Sequence, residues 1–416
     1  MERETKPDGR AILFYSWPDA PPIPEGLSDV AGDARTTDEE AEAPHAEPWS
    51  PETQPTDRTG PRCLIRVVAM SELRWNPLRR EWVITATHRQ DRTFLPPAGH
   101  CPLCPTRPGA EVPTEIERPD FDIAVFDNRF PSLSMEPPEP AVQGTEVTPV
   151  RAAFGHCEVV VYTPQHEASL STVSLRRIRH LISVWAHRTL ELGATEGIDY
   201  VFVFENRGEA IGVTLEHPHG QIYAYPMIPP VLALEVEAAR EARDRDGGCL
   251  WCALVAQDRL DGRRVVLESE HWQVVVPFFA RWPYELHIMP LRHIGWLHEL
   301  DAAEVDDLAR VLKVVLGKYD GLFGFPLPYI MAVHQRPTDG GDHEGYHLHI
   351  ESYPPHRTEK KLKFLAGSEA GAGAFINDTL PEETAQRLRG VGPQDTAELV
   401  DVDELVDEDG RPLVGA

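Results

Sequence analysis

The chain has 416 residues, enough for two or three conventional domains, and an apolar content ordinary for a globular protein. Its formal net charge of −27 repels nucleic acid and anionic membrane surfaces, which excludes both as main partners. No run of about 18 apolar residues occurs, so no membrane-spanning helix is expected.

Residues 1–62 are rich in Pro, Asp, Glu, Ala and Thr, with one short apolar patch at Ala11–Tyr15. Such a stretch buries too little surface to offset chain entropy, and a disordered, acidic, proline-rich tail is expected. The opening MERETKPDGR lacks the apolar core of a signal peptide. Six cysteines are sparse for this length, and four of them form two C-x-x-C pairs. Without an export signal, that usage favours metal or redox chemistry over disulfides and implies a cytoplasmic protein.

The first pair, Cys101 and Cys104, has the spacing of a zinc half-site. A strand is expected at Glu158–Thr163, then Pro164-Gln165-His166, then a long amphipathic helix to about Glu191. Next come the glycine-flanked turn Asn206–Gly212 and the run His217-Pro218-His219-Gly220-Gln221, which enters a strand-like Ile222–Tyr225. The same landmarks then return in order. They are Cys249 and Cys252, a strand at Glu285–Met289, Pro290 and His293, a helix from about Ala302, and His347-Leu348-His349-Ile350-Glu351. The recurrence implies duplication of one α+β unit of roughly 150 residues. The units are assigned to residues 63–232 and 233–392, with a second acidic tail at 393–416. Alternating polarity in the strands predicts a mainly antiparallel sheet with helices packed on it.

In extended chain, residues two apart share a face, so His217, His219 and Gln221 are expected to present three polar groups on one side. Gly220 is expected to let a ligand approach, and Gly208 and Gly212 to permit a turn whose amides face a phosphate. Two histidines at this spacing are by themselves an unremarkable surface pair. Their combination with Gln221, the glycine turn and an upstream C-x-x-C points instead to phosphorus chemistry. There an imidazole attacks with one nitrogen while the other is held by a fixed acceptor.

The run His217-Pro218-His219-Gly220-Gln221-Ile222 resembles the H-P-H-x-Q signature of galactose-1-phosphate uridylyltransferases, a branch of the histidine triad superfamily. The likeness extends over residues 72–392, through Asn76-Pro77, Asn128-Arg129-Phe130, Thr163-Pro164-Gln165-His166, His271-Trp272, Trp282-Pro283 and Tyr353-Pro354-Pro355. It implies a duplicated histidine-triad-like fold. It also implies that His219 takes UMP from UDP-glucose as a phosphoramidate and passes it to galactose 1-phosphate by a ping-pong mechanism. Gln221 stands where nucleotide-hydrolysing relatives carry a third histidine. As a neutral donor it binds a phosphate oxygen without activating water, which favours transfer.

The resemblance adds His166 and His217 to Cys101 and Cys104, a closed structural zinc site. By the internal repeat, Cys249, Cys252, His293 and His347 would form a matching second zinc site. Some family members also hold a metal on a glutamate and three histidines. That set maps to Glu235, His334 and His349, with Glu351 in place of the last histidine, a donor set that still suits iron or zinc. Substrate contacts carried over by the likeness are Arg89, Arg92, Asn128, Asn206, Gly212, Thr214, Gln221, Lys363, Phe364 and Glu369. Thr214 replaces a serine, Arg129 an aspartate and Phe375 a glutamine of some relatives, which bears on the sugar contacts. Some of the family's contacts cross a dimer interface, so a homodimer is expected. A second enzyme reading is an adenylyltransferase or phosphorylase of the same fold acting on ADP-glucose or a dinucleoside polyphosphate. A non-enzymatic reading is a nucleotide-binding scaffold, which the presence of both His219 and Gln221 disfavours.

Overall fold

The computed structural model describes residues 1–17, 71–91, 100–107, 109, 113–119, 121–392, 396 and 399. In chain order its elements are β1 (Glu2–Thr5), β2 (Ala11–Tyr15), β3 (Ser71–Asn76), β4 (Glu81–Ala86), β5 (Ile123–Asp127), β6 (Val150–Ala152) and β7 (His156–Val161). There follow α1 (Leu175–Gly193), β8 (Tyr200–Arg207), β9 (His219–Tyr225), α2 (Pro230–Asp246) and α3 (Leu250–Asp261). The chain continues through β10 (Val265–Glu268), β11 (Trp272–Val275), β12 (Leu286–Pro290), α4 (Ala302–Phe323), β13 (Tyr329–His334) and β14 (His349–Tyr353). Last come β15 (His356–Thr358), β16 (Lys361–Leu362) and α5 (Pro381–Arg389). Among the described residues no helix is long and apolar enough to cross a membrane.

Eleven strands form one sheet in the order β1-β2-β5-β7-β9-β8-β13-β14-β12-β11-β10, with every pairing antiparallel. The order read from the middle outwards is the trace of the duplication. The run β8-β9-β7-β5-β2 on one side corresponds to β13-β14-β12-β11-β10 on the other. The two units meet where β8 pairs β13, with Phe204 opposite Ala332.

Each unit sends one long helix across the same face of the sheet. Helix α1 starts at Ser174, whose side chain accepts from Arg177 N, and α4 starts with a reciprocal Asp301–Glu304 capping box. Ile178, Leu181, Ile182 and Trp185 on α1, and Leu308, Val311, Leu312 and Val315 on α4, repeat at helical spacing and are fully buried. They pack with Val201, Val203, Ile222 and Ile350 of the sheet into the main core. Burying each such apolar side chain contributes about 1.5–3 kcal/mol. The opposite face is covered differently in the two units. A small β4-β3-β6 sheet lies over the first, where Leu73 packs with Cys157 and Leu133. Helices α2 and α3 lie over the second, where Trp251 and Ala239 pack with Val275 and Met289.

The expected tail at residues 1–62 does not hold for the first seventeen. Strands β1 and β2 form a hairpin, and β2 joins the main sheet beside β5, Ile12 opposite Phe126 and Phe14 opposite Ala124. The averaged composition concealed a five-residue run, AILFY, that finds cover on both faces. Ile12 and Phe14 pack with Leu103, Ile116 and Phe121, while Leu13 and Tyr15 face the main core. Lys6 and Arg10 pair with Glu115, tying the hairpin to the loop after Cys104. Residues 18–62 lie outside the described residues, as do 393–416 apart from 396 and 399.

Candidate functional site

Strand β9 runs between β7 and β8, with His219 opposite Val161 and Gln221 opposite both Val159 and Phe204. Its side chains alternate. Gly220, Ile222 and Ala224 are buried against the helix side, while His219, Gln221, Tyr223 and Tyr225 share the other face and are half-buried. The strand begins at His219, so His217 does not extend this row; it is turned into the cluster with Cys104 and is fully buried. Gly220 also serves another purpose than expected. A Cβ there would lie 2.1 Å from the Tyr162 hydroxyl, so the glycine makes room for a tyrosine beneath the strand, not for a ligand above it.

The His219 Nδ1 lies 2.7 Å from the His217 carbonyl oxygen. A carbonyl only accepts, so Nδ1 carries a proton and donates it there. Beside it, Gln221 Oε1 receives the Asn128 amide at 3.5 Å and the Tyr223 hydroxyl at 3.3 Å. The Arg89 guanidinium donates to the Phe130 carbonyl at 3.0 Å. Asn206, on β8, lies on the face of Phe204 and Gln221. Gly212 has φ of 83°, in the left-handed region that favours glycine, but its amide donates to Glu209 O, so that amide is spent within the turn. Thr214 follows in the half-buried loop that leads to His217, and Arg92 lies outside the described residues. Lys363 and Glu369 pair with each other at 3.1 Å, and Lys363 also donates to Ile376 O. Phe364 beside them is exposed, and Phe375 lies under Arg281, which reaches Glu351 at 3.6 Å. Within one chain this late segment therefore adjoins the second unit.

Among the described residues, four groups of side chains converge closely enough to hold a metal ion, each with all its ligand atoms within 4.8 Å of one another. In the first, Cys104 Sγ is 3.4 Å from both His166 Nδ1 and His217 Nδ1. His217 Nε2 donates to Thr163 O at 2.8 Å, which leaves Nδ1 facing the sulfurs. Hydrogen bonding from Cys104, and then from His217, holds the Cys101 thiol far below its ordinary range at about 3. The second group repeats the plan: His347 Nδ1 lies 3.5 Å from Cys249 Sγ and 3.5 Å from Cys252 Sγ, with His293 Nδ1 3.8 Å from Cys252 Sγ. Cys249 also caps α3.

The third group joins Glu235, His334, His349 and Glu351. Glu235 lies 3.1 Å from His334 Nδ1, and His349 Nε2 lies 3.5 Å from Glu351 Oε1 and 3.8 Å from Glu235 Oε2. Burial alone would raise the Glu351 carboxyl, yet His287 and His334 hold it well below the carboxylate range. The sequence reading passed over the shell around this group. His287 Nε2 sits 3.2 Å from Glu351 Oε1 and 3.1 Å from Glu285 Oε1, Tyr346 donates to Glu235 at 2.6 Å, and Tyr353 donates to Glu351. The available signal was register, since His287 stands directly opposite Glu351 on the neighbouring strand. A fourth group, Asp127, His156 and Glu158, was also missed. There Arg188 donates to both oxygens of Glu158, so the cluster is a closed ion-pair network.

The model of the galactose-1-phosphate uridyl transferase N-terminal domain matches residues 52–229, and that of the C-terminal domain matches residues 236–405. The galactose-1-phosphate uridylyltransferase of Thermotoga maritima is 42% identical over 77% of this chain and 98% of its own length. That of Rattus norvegicus is 36% identical over 78% of this chain and 89% of its own length. A solved structure described as uridylyltransferase superposes with a TM-score of 0.68 at 38% identity, covering 77% of this chain and 97% of its own. An Arabidopsis thaliana ADP-glucose phosphorylase with bound ADP-glucose superposes at 0.59 with 27% identity, over 77% and 99%. With both domain models matched along its length, this chain belongs to the galactose-1-phosphate uridylyltransferase family.

Proposed function

We propose that the protein transfers a uridylyl group between UDP-glucose and galactose 1-phosphate through a covalent intermediate on His219. The observation that carries this reading is the 2.7 Å contact between His219 Nδ1 and the His217 carbonyl, which fixes the ring through Nδ1 on the strand face it shares with Gln221. In the first half-reaction an Nε2–P bond forms to the α-phosphorus. The bond from that phosphorus to the bridging oxygen breaks, and glucose 1-phosphate leaves with the electron pair. In the second, a phosphate oxygen of galactose 1-phosphate attacks the same phosphorus and the N–P bond breaks. Free Nε2 is regenerated with no net proton change. Nδ1–H stays on its carbonyl throughout and stabilises the imidazole as charge develops. Gln221 donates an amide N–H to a phosphate oxygen, and Asn128, Asn206, Arg89 and Thr214 surround the nucleotide and phosphates. Arg92 and Gly212 belong to the same substrate-binding set.

Cys101, Cys104, His166 and His217 would hold zinc, and Cys249, Cys252, His293 and His347 a second zinc. A tetrahedral zinc with Zn–S of ~2.3 Å and Zn–N of ~2.0 Å sets S···N edges of about 3.5 Å, the spacing these sulfurs and nitrogens already keep. The first site closes its donor set and anchors the chain two residues before the nucleophile, so its role is structural. Two carboxylates and two imidazoles at Glu235, His334, His349 and Glu351 suit Fe²⁺ or Zn²⁺. Lys363, Phe364 and Glu369 keep to the second unit within one chain, which supports a homodimer in which they serve the partner's sugar phosphate. The likeness to the ADP-glucose phosphorylase supports a second reading with adenosine in place of uridine.

Mass spectrometry after mixing with UDP-glucose alone tests the mechanism. The expected result is a UMP-sized, acid-labile adduct that is absent from His219→Ala. No adduct on active enzyme overturns it, and an adduct from ADP-glucose but not UDP-glucose selects the second reading.

A further inference from the structure

Gln221 has two chemically opposite ends, and only one of them serves a phosphate. An amide nitrogen donates to the anionic oxygens, whereas a carbonyl oxygen in the same place repels them. The strand alone does not choose between the two, because rotating the terminal amide by half a turn preserves its shape. Two neighbouring donors make the choice. Phe130 N donates to Asn128 Oδ1 at 2.9 Å, which turns the Asn128 NH₂ outward onto Gln221 Oε1 at 3.5 Å. The Tyr223 hydroxyl donates to the same oxygen at 3.3 Å. With that oxygen fixed as the acceptor on the Asn128 side, the phenol donates its own proton to Gln221.

The duplicated unit repeats the device. Tyr353 stands two residues after Glu351, as Tyr223 stands two after Gln221, and its hydroxyl donates to Glu351. In both halves a tyrosine at this offset fixes the functional side chain before it. Around Tyr223 the ring is held edge-on to Phe204, with centroids 5.1 Å apart, and packs in the cluster with Leu133 and Cys157, so the hydroxyl is presented from a fixed base.

We infer that Tyr223 is a positioning residue for uridylyl transfer, holding Gln221 Oε1 so that the amide N–H₂ faces the transferred phosphate. The inference rests on the covalent reading proposed for His219. Its test is a double-mutant cycle on the burst of glucose 1-phosphate released when enzyme meets UDP-glucose. Tyr223→Phe removes one hydrogen bond and is expected to slow the burst about threefold to tenfold, with its half-saturating UDP-glucose concentration unchanged. In a Gln221→Ala background the same change is expected to do nothing further, because the group it acts through is gone. A wild-type burst rate in Tyr223→Phe, effects that multiply in the double variant, or a change confined to half-saturation each overturns the inference. Should Tyr223→Phe melt below the assay temperature, the whole cycle is read below that melting point. A wild-type enzyme with no burst overturns the covalent reading instead, so the two failures are distinct.

Discussion

The two units solve the same geometric problem and end in opposite chemistry. In both, the second histidine of an H-x-H run opens a central strand and bonds a carbonyl two residues back through Nδ1, at 2.7 Å for His219 and 2.9 Å for His349. In both, a cysteine pair and two histidines stand directly upstream. By register, Gln221 corresponds to Glu351, and Asn206 to His334. The first unit thus surrounds its imidazole with neutral amides and leaves the face half-open. The second surrounds it with carboxylates and imidazoles and closes it with α2, which brings Glu235. The lesson is that the aimed histidine is generic to the scaffold. Under the proposed function, charge at two neighbouring positions decides whether it meets a phosphate or a cation.

The comparison breaks most sharply at the histidines themselves. His219→Ala is expected to lower transfer by at least about 10⁴-fold in steady-state assays, as loss of a covalent nucleophile does. His349→Ala is expected to leave the glucose 1-phosphate burst in place while lowering the melting temperature. Equal losses of turnover in the two would erase the distinction. Gln221→Glu writes the second unit's carboxylate into the first, and transfer is expected to fall about 10²- to 10³-fold through repulsion of the phosphate. Near-normal turnover would show that charge at this position is not decisive.

The cysteine pairs compare the units at the level of stability. Cys101→Ser and Cys249→Ser are each expected to remove one equivalent of bound zinc by elemental analysis and to lower the melting temperature. The Cys101 change is expected to slow the burst as well, because His217 carries the carbonyl that aims His219. Full zinc retention in either variant would refute that site.

The smallest effect is confined to the first unit. Burial alone would lower the His156 pKa, but the Asp127 and Glu158 carboxylates overcome this and hold it up to about 9. A raised histidine contributes stability that is complete below its unfolded value of about 6.5 and is lost as pH rises through about 9. The melting temperature is therefore expected to fall by on the order of a few degrees between pH 7 and 10, and to fall less in His156→Gln. An unchanged slope in the variant would remove His156 from the account.

Much of this was legible in the linear chain because its signals are local. The H-P-H-G-Q run, the C-x-x-C pairs, the helical apolar spacing of α1 and α4, and the recurrence of landmarks all lie within a few residues of themselves. The α+β duplication followed from them. What was not legible depended on partners far away in sequence. Ala11–Tyr15 looks like a chance apolar patch until β5 pairs with it and the Ile116 loop and the main core cover its two faces. Gly220 reads as a ligand approach until Tyr162 is seen beneath it, and His287 reads as a strand residue until register sets it against Glu351. Sequence by itself determined which groups are present and that His219 and Gln221 share a strand face, since backbone periodicity needs no partner; that the strand begins at His219 and leaves His217 outside the row did not follow from it. Only the tertiary structure decided which amide end points outward and which charges neutralise one another, because each is set by a hydrogen-bond partner that the fold brings from elsewhere.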